Sequence, residues 1–181
     1  MSKKPINHIT VLIYPHPELY PPTLFAIEEL SQITDTIDVV TRKMLISKWE
    51  YPKNVRVHYI NKKKYVGFEI ENISFISKII HFLKFVMMSH KLIKKNKSQI
   101  VLVYDAIPLY VAHLLKATLK KKNSLLWYHN HDVTDLSKAN YFSIMSIASR
   151  KQDSAIQNIG MFSLPSKERL VYFKNIPKEV N

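Results

Sequence analysis

Leu125-Leu126-Trp127-Tyr128-His129-Asn130-His131-Asp132 is the stretch on which the fold turns. An apolar run ends abruptly in two imidazoles, an amide and a carboxylate, and a helix-like segment follows. Ser124 to Tyr128 reads as a strand, and in an alternating α/β protein the carboxyl ends of strands are where ligands bind.

Working outward, short apolar runs alternate with helix-like stretches along the whole chain. His8 to Tyr14 is a near-continuous β-branched strand. A proline-rich loop, Pro15 to Pro22, leads to a helix capped by Thr23 and running to about Thr34. Thr36–Thr41 and Val55–Ile60 are the second and third strands. A long helix covers about Ile73 to Lys95, and Gln99–Tyr104 is the fourth strand. Pro108 suits the first turn of the next helix, with Lys120, Lys121 and Lys122 at its carbonyl end. After the Ser124–Tyr128 strand, a helix from about Leu136 to Asn158 stops at Gly160, which reads as a left-handed cap. Met161–Leu164 is a short sixth strand, and Ser166 caps a final helix to about Phe173. This order predicts a single-domain α/β fold: a Rossmann-like parallel sheet of about six or seven strands with helices on both faces.

Composition narrows the chemistry. The 181 residues fit one domain and can bury a substantial core. No cysteine is present, so disulfides, thiolate metal sites and a cysteine nucleophile are excluded. The two glycines, Gly67 and Gly160, do not follow the first strand, which argues against a dinucleotide fingerprint or a P-loop. Ile9–Tyr14 is too short for a secretory apolar core. Ile73–Met88 is interrupted by Lys78, His81 and Lys84 and is short for a membrane span. A cytoplasmic location is expected, with peripheral contact at the inner face of the membrane as an added option.

The net charge is +13, yet only four of the 27 cations are arginine. Base and phosphate readers rely on the bidentate guanidinium, so no nucleic-acid partner is expected. A lysine excess suits diffuse attraction to anionic lipid. A coding bias toward Lys, Ile and Asn would produce the same excess with no partner. On the long helix, Lys84, Lys91 and Lys95 share one face at spacings of seven and four. Phe75, Ile79, Phe82, Leu83, Val86 and Met87 cover much of the rest, more apolar surface than one sheet face requires. Two readings follow: a helix buried between the sheet and a neighbour, or membrane contact through Lys84, Lys91 and Lys95.

Three places hold chemistry-capable residues. His129 and His131, two apart on one strand edge and close to Asp132, could act as acid and base, hold a polar ligand, or simply satisfy loop amides. A His-x-His pair lacks the third ligand that zinc needs, so no metal is expected. The stiff first loop presents His16, Glu18, Tyr20 and Thr23, or serves as a rigid connector. Asp105, at the fourth strand end, adds a carboxylate to the same edge, or serves the helix that follows it.

Three segments together resemble the N-terminal domain of a GT-B-fold glycosyltransferase of the retaining family-four type. They are the opening strand, loop and helix from His8; the strand ending Tyr128-His129-Asn130-His131-Asp132; and Gln152-Asp153-Ser154-Ala155 through Phe162-Ser163-Leu164-Pro165-Ser166-Lys167-Glu168-Arg169. The resemblance covers essentially the whole chain. It implies the acceptor-binding half of an enzyme that moves a sugar from a nucleotide-sugar donor to a glycan or lipid-linked acceptor. It further implies a histidine beside the transferred sugar, His129 first and His131 second. His16, Tyr20, Thr23, Asp105 and Asp132 would border the acceptor. No covalently bound cofactor is implied.

The first loop lacks the Gly-Gly pair common in the family. The chain stops at Asn181, where the hinge and the donor-binding domain would begin. A separate or missing donor domain is therefore the expected partner, and this chain alone is expected to be inactive. The competing function is a non-catalytic peripheral membrane or scaffold protein on the same fold.

Overall fold

The computed structural model describes residues 5–43, 48–61, 73–131 and 141–177. Six strands form one sheet: β1 Ile6–Ile13, β2 Thr34–Thr41, β3 Val55–Tyr59, β4 Ile100–Tyr104, β5 Leu125–His129 and β6 Met161–Ser163. Their order is β3-β2-β1-β4-β5-β6, and every pair is parallel. β-branched runs fill the centre, where Ile9, Val11, Leu12, Val101 and Val103 are fully buried, as a sheet covered on both faces requires. The chain leaves β3 at one edge and returns to β4 beside β1. The strand order reverses there, which opens a crevice outside the carboxyl ends.

Among the described residues, five α-helices accompany the strands: α1 Pro21–Ile33, α2 Phe75–Asn96, α3 Ala106–Leu114, α4 Lys116–Lys122 and α5 Ile144–Ala155. On one face, α1 packs Ile27 against Ile9, Val11, Ile37 and Val39. On the other, α2, α3 and α5 cover Leu12, Val40, Val103, Leu126 and Tyr128. The α1 face is covered unevenly. Leu125 and Met161 there remain 40% and 37% exposed, with Trp127 half-buried between them.

Four local expectations are corrected. Thr23 does not cap α1. The helix starts at Pro21 with Tyr20 as N-cap, because prolines fit the first turn, where N–H groups have no partner anyway. The helix expected between Pro108 and Lys122 is two helices. Leu115 leaves the helical region (φ −94°, ψ 11°), so that α3 packs on α5 while α4 packs on α2. Gly160 is not left-handed. Its backbone N–H donates to the Leu126 carbonyl at 2.9 Å, and a Cβ there would collide with the Leu125 side chain. The final segment, Lys167–Tyr172, is a 3₁₀ helix, and Ser166 makes no side-chain cap. The helix expected from Leu136 is α5 from Ile144; residues 132–140 lie outside the described residues.

A polar cluster lies on the α2 face, between β1, β2 and β3 and the end of α2. Asp38 is fully buried. Its carboxylate meets His8 Nε2 at 2.7 Å and His58 Nε2 at 2.6 Å. It also accepts from Arg56 Nε at 2.9 Å and Nη2 at 2.8 Å, and from Asn96 Nδ2 at 2.5 Å. Burial pushes its pKa up, but hydrogen bonds from His8, His58 and Arg56 and the Arg56 charge prevail, holding it well below the usual carboxylate range.

Candidate functional site

Tyr104, His129 and Ser163 end three adjacent strands and pair in register, so their side chains meet on the α1 face at the carboxyl edge. His129 Nδ1 lies 2.7 Å from Ser163 Oγ. Trp127 Nε1, which can only donate, reaches the same oxygen at 2.9 Å. Ser163 Oγ thus joins the indole to the imidazole, and its second lone pair and its own proton let it pair with either tautomer of His129. Burial, and then the neighbouring His131, lower the His129 pKa to about 4. The ring is neutral at neutral pH.

His131 is held from all sides. It stacks on Tyr104 (centroids 5.2 Å apart, planes 17° apart) and meets His129 edge-on at 4.5 Å. The Tyr20 ring lies 5.9 Å away, and Thr23 Oγ1 is 3.3 Å from His131 Nε2. Its backbone N–H donates to Asp105 Oδ1 at 2.7 Å, and its carbonyl accepts from Arg169 Nη1. Asp105 returns the link through its own N–H, which donates to the His129 carbonyl at 2.9 Å. To do so it adopts φ 64° and ψ −176°. That region is essentially reserved for glycine and costs on the order of 1–3 kcal/mol. Strain is thus stored where the β4–α3 junction fixes the histidine edge.

These groups line one end of a groove of about 380 Å³. Its walls are Pro22, Ala26 and Leu30 from α1, the buried Leu102 and the half-buried Trp127 from the sheet; Tyr104, His129, His131 and Ser163 form the polar end. Apolar walls with a few convergent polar groups are the usual make-up of a small-molecule site. Among the described residues, no lysine or arginine lines the groove, and Glu29 on α1 is its one carboxylate. Burial, reinforced by Asp105, pushes the Tyr104 hydroxyl pKa above its ordinary value, so it stays protonated. A rim of phenol, hydroxyl and imidazole groups without a lysine or arginine suits a hydroxylated ligand better than a phosphate.

Of the residues singled out in sequence, His129 and His131 line the groove, and Tyr20 and Thr23 support His131 from behind. Asp105 binds backbone rather than lining the groove. His16 lies apart from it: buried, with Nδ1 3.2 Å from the Arg42 carbonyl, and with burial and then the Arg42 charge lowering its pKa to about 4. Asp132 lies outside the described residues. Lys84, Lys91 and Lys95 are exposed on α2, across the sheet. Among the described residues no group of three His, Cys, Asp or Glu is placed to hold a metal. Sequence reasoning passed over Tyr104, Trp127 and the groove role of Ser163. Aligning the strand ends and following alternate residues would have found them.

The fold matches solved structures. Sucrose-phosphate synthase from Thermosynechococcus elongatus superposes with a TM-score of 0.64 at 12% identity, over 92% of this chain and 44% of that one. The chain folds like a domain of a GT-B glycosyltransferase. UGT2 from Phytolacca americana, solved with UDP-2-fluoro-glucose and pterostilbene, gives 0.59 at 6% identity, over 98% of this chain and 53% of that one. A UDP-glucosyltransferase from Polygonum tinctorium that glucosylates indoxyl gives 0.56 at 8%, over 93% and 47%. This GT-B-like chain therefore spans about half the length of those proteins. No protein-family model and no curated protein sequence matches it.

Proposed function

We propose that this chain is the acceptor-side half of a glycosyltransferase of the retaining family-four kind. The observation that carries the reading is the aromatic-walled groove ending in His129 and His131 at the carboxyl edge of a GT-B-like sheet. Sugar and acceptor hydroxyls would be held by the imidazoles, with His129 beside the transferred sugar. Trp127 would carry the apolar part of a glycan or lipid-linked acceptor. A nucleotide-sugar donor would be bound by a second domain on a partner chain or a further segment. The half-covered face of β5 and β6 and the span of about half of the solved neighbours both support that division. A transfer cleft needs two walls to exclude water and to hold the donor.

The test is reconstitution. The purified 181-residue chain should leave UDP-glucose and other nucleotide sugars unconsumed, and addition of a donor-domain polypeptide should start transfer to an acceptor. His129→Ala should remove that transfer without unfolding the chain. Robust turnover by this chain alone, or full activity in the His129→Ala complex, would contradict the proposal.

A further inference from the structure

The α2 helix carries two apolar faces. One packs Phe85, Ser89, Leu92 and Ile93 into the core. Opposite it, Ile76, Ile80, Leu83 and Met87 recur at helical spacing with exposures of 70%, 44%, 53% and 70%. Phe75 and Ile79, also exposed, widen the stripe on one side. Lys84, Lys91 and Lys95 border the other side, and Lys94 continues the line of the stripe one turn pair beyond Met87. α2 contains no carboxylate, and neither does the neighbouring α4, whose Lys116, Lys120 and Lys121 are exposed. The sequence left open whether a neighbour buries this helix. Among the described residues, the stripe faces outward.

We propose that the outer face of α2 docks on an anionic lipid surface, with Ile76, Ile80, Leu83 and Met87 entering the acyl boundary and the bordering lysines pairing with headgroups. Contiguous exposed apolar side chains of this extent mark an interaction site. The bordering charge selects the occupant. A second copy laid face to face would bring two lysine rows together, whereas an anionic leaflet neutralises them and lets their stems lie along the apolar stripe. Among the described residues no helix is long and apolar enough to cross a membrane, so the contact is interfacial. This docking is independent of the transferase reading.

Vesicle flotation decides it. The chain should float with phosphatidylcholine–phosphatidylglycerol vesicles at low salt, stay behind with pure phosphatidylcholine, and be released by added salt. Each of Lys84→Gln, Lys91→Gln and Lys95→Gln should weaken binding about fivefold. Leu83→Asp with Met87→Asp should abolish it while leaving the circular dichroism melt intact.

Because the chain has no cysteine, Met87→Cys can also be labelled with a polarity-sensitive fluorophore in an otherwise native background. Its emission should shift to the blue on anionic vesicles, while the same label at the exposed Lys53→Cys should not change. No flotation at low salt, or no shift at position 87, would overturn the proposal. So would a dimer in solution that Leu83→Asp dissolves. Loss of flotation with retained sugar transfer in the reconstituted enzyme would leave the functional reading standing.

Discussion

Two clusters in this molecule contain nearly the same groups: an aspartate, two histidines and an arginine. Around Asp38, His8, His58, Arg56 and Asn96 all point at the carboxylate, which is fully buried although Arg56 reaches solvent. Around Asp105, the carboxylate takes a backbone N–H of the histidine segment, Arg169 takes a backbone carbonyl, and the imidazoles are left to face a groove. The first arrangement spends its polar groups on one another and holds three strands and a helix end together. The second spends its charged groups on backbone and so frees side chains for a ligand. Composition alone does not separate structure from function here; what the carboxylate is bonded to does.

Breaking each aspartate should expose that difference. Asp38→Ala leaves His8 and Asn96 without their shared acceptor, while Arg56 can turn to solvent, and should cost about 2 kcal/mol in urea unfolding. Weakened ligand binding is not expected from that change. A loss as small as that of a surface substitution would show that the cluster is not the keystone described here.

Acid should act on both regions, but in different windows. His16 and His129 have folded pKa values lowered to about 4 from 6.5. Between those values the unfolded chain binds more protons than the folded one, so stability falls as pH falls from about 6.5 to about 4. Asp38, with a depressed pKa, contributes stability that is full above its unfolded value of about 3.9 and is lost only at lower pH. A melting series should therefore decline in two stages. His16→Gln with His129→Gln should make the first shallower, leaving the part due to the burial-lowered His81 and His113, and spare the second. A melting temperature constant from pH 6.5 to 4 in the native chain would contradict the burial of these rings.

The strained Asp105 offers a finer comparison. Asp105→Ala loses the bond to His131 and keeps the unfavourable backbone, whereas Asp105→Gly loses the bond and relieves the strain. The glycine variant should be the more stable by about 1 kcal/mol, with both variants weaker in ligand binding. Equal stability would remove the strain argument. The smallest effect is expected for Thr23→Val, which deletes one 3.3 Å hydrogen bond to His131 at about 0.5 kcal/mol.

The alternation of apolar runs made the six parallel strands legible, because a sheet buried on both faces demands such runs. Which residues share the groove was less so. Tyr104, His129 and Ser163 come from strands far apart in sequence, and only register brings them to one edge. The Asp38 cluster was hidden for the same reason: its members read as isolated polar positions until three strands align. Helix ends slipped where backbone chemistry outranked side-chain signals, as with Pro21 and Pro22 displacing Thr23 from the cap. Gly160 was misjudged because close packing against Leu125, not a left-handed turn, explains a glycine there.

The most direct test follows the histidine ring nitrogens by NMR while a panel of neutral oligosaccharides is titrated into the chain. His129 and His131 should shift together in a saturable way, and His8 and His58 should stay fixed. Shifts at His8 or His58, or no member of the panel moving His129 and His131, would contradict the assignment of the strand-edge groove as the sugar site.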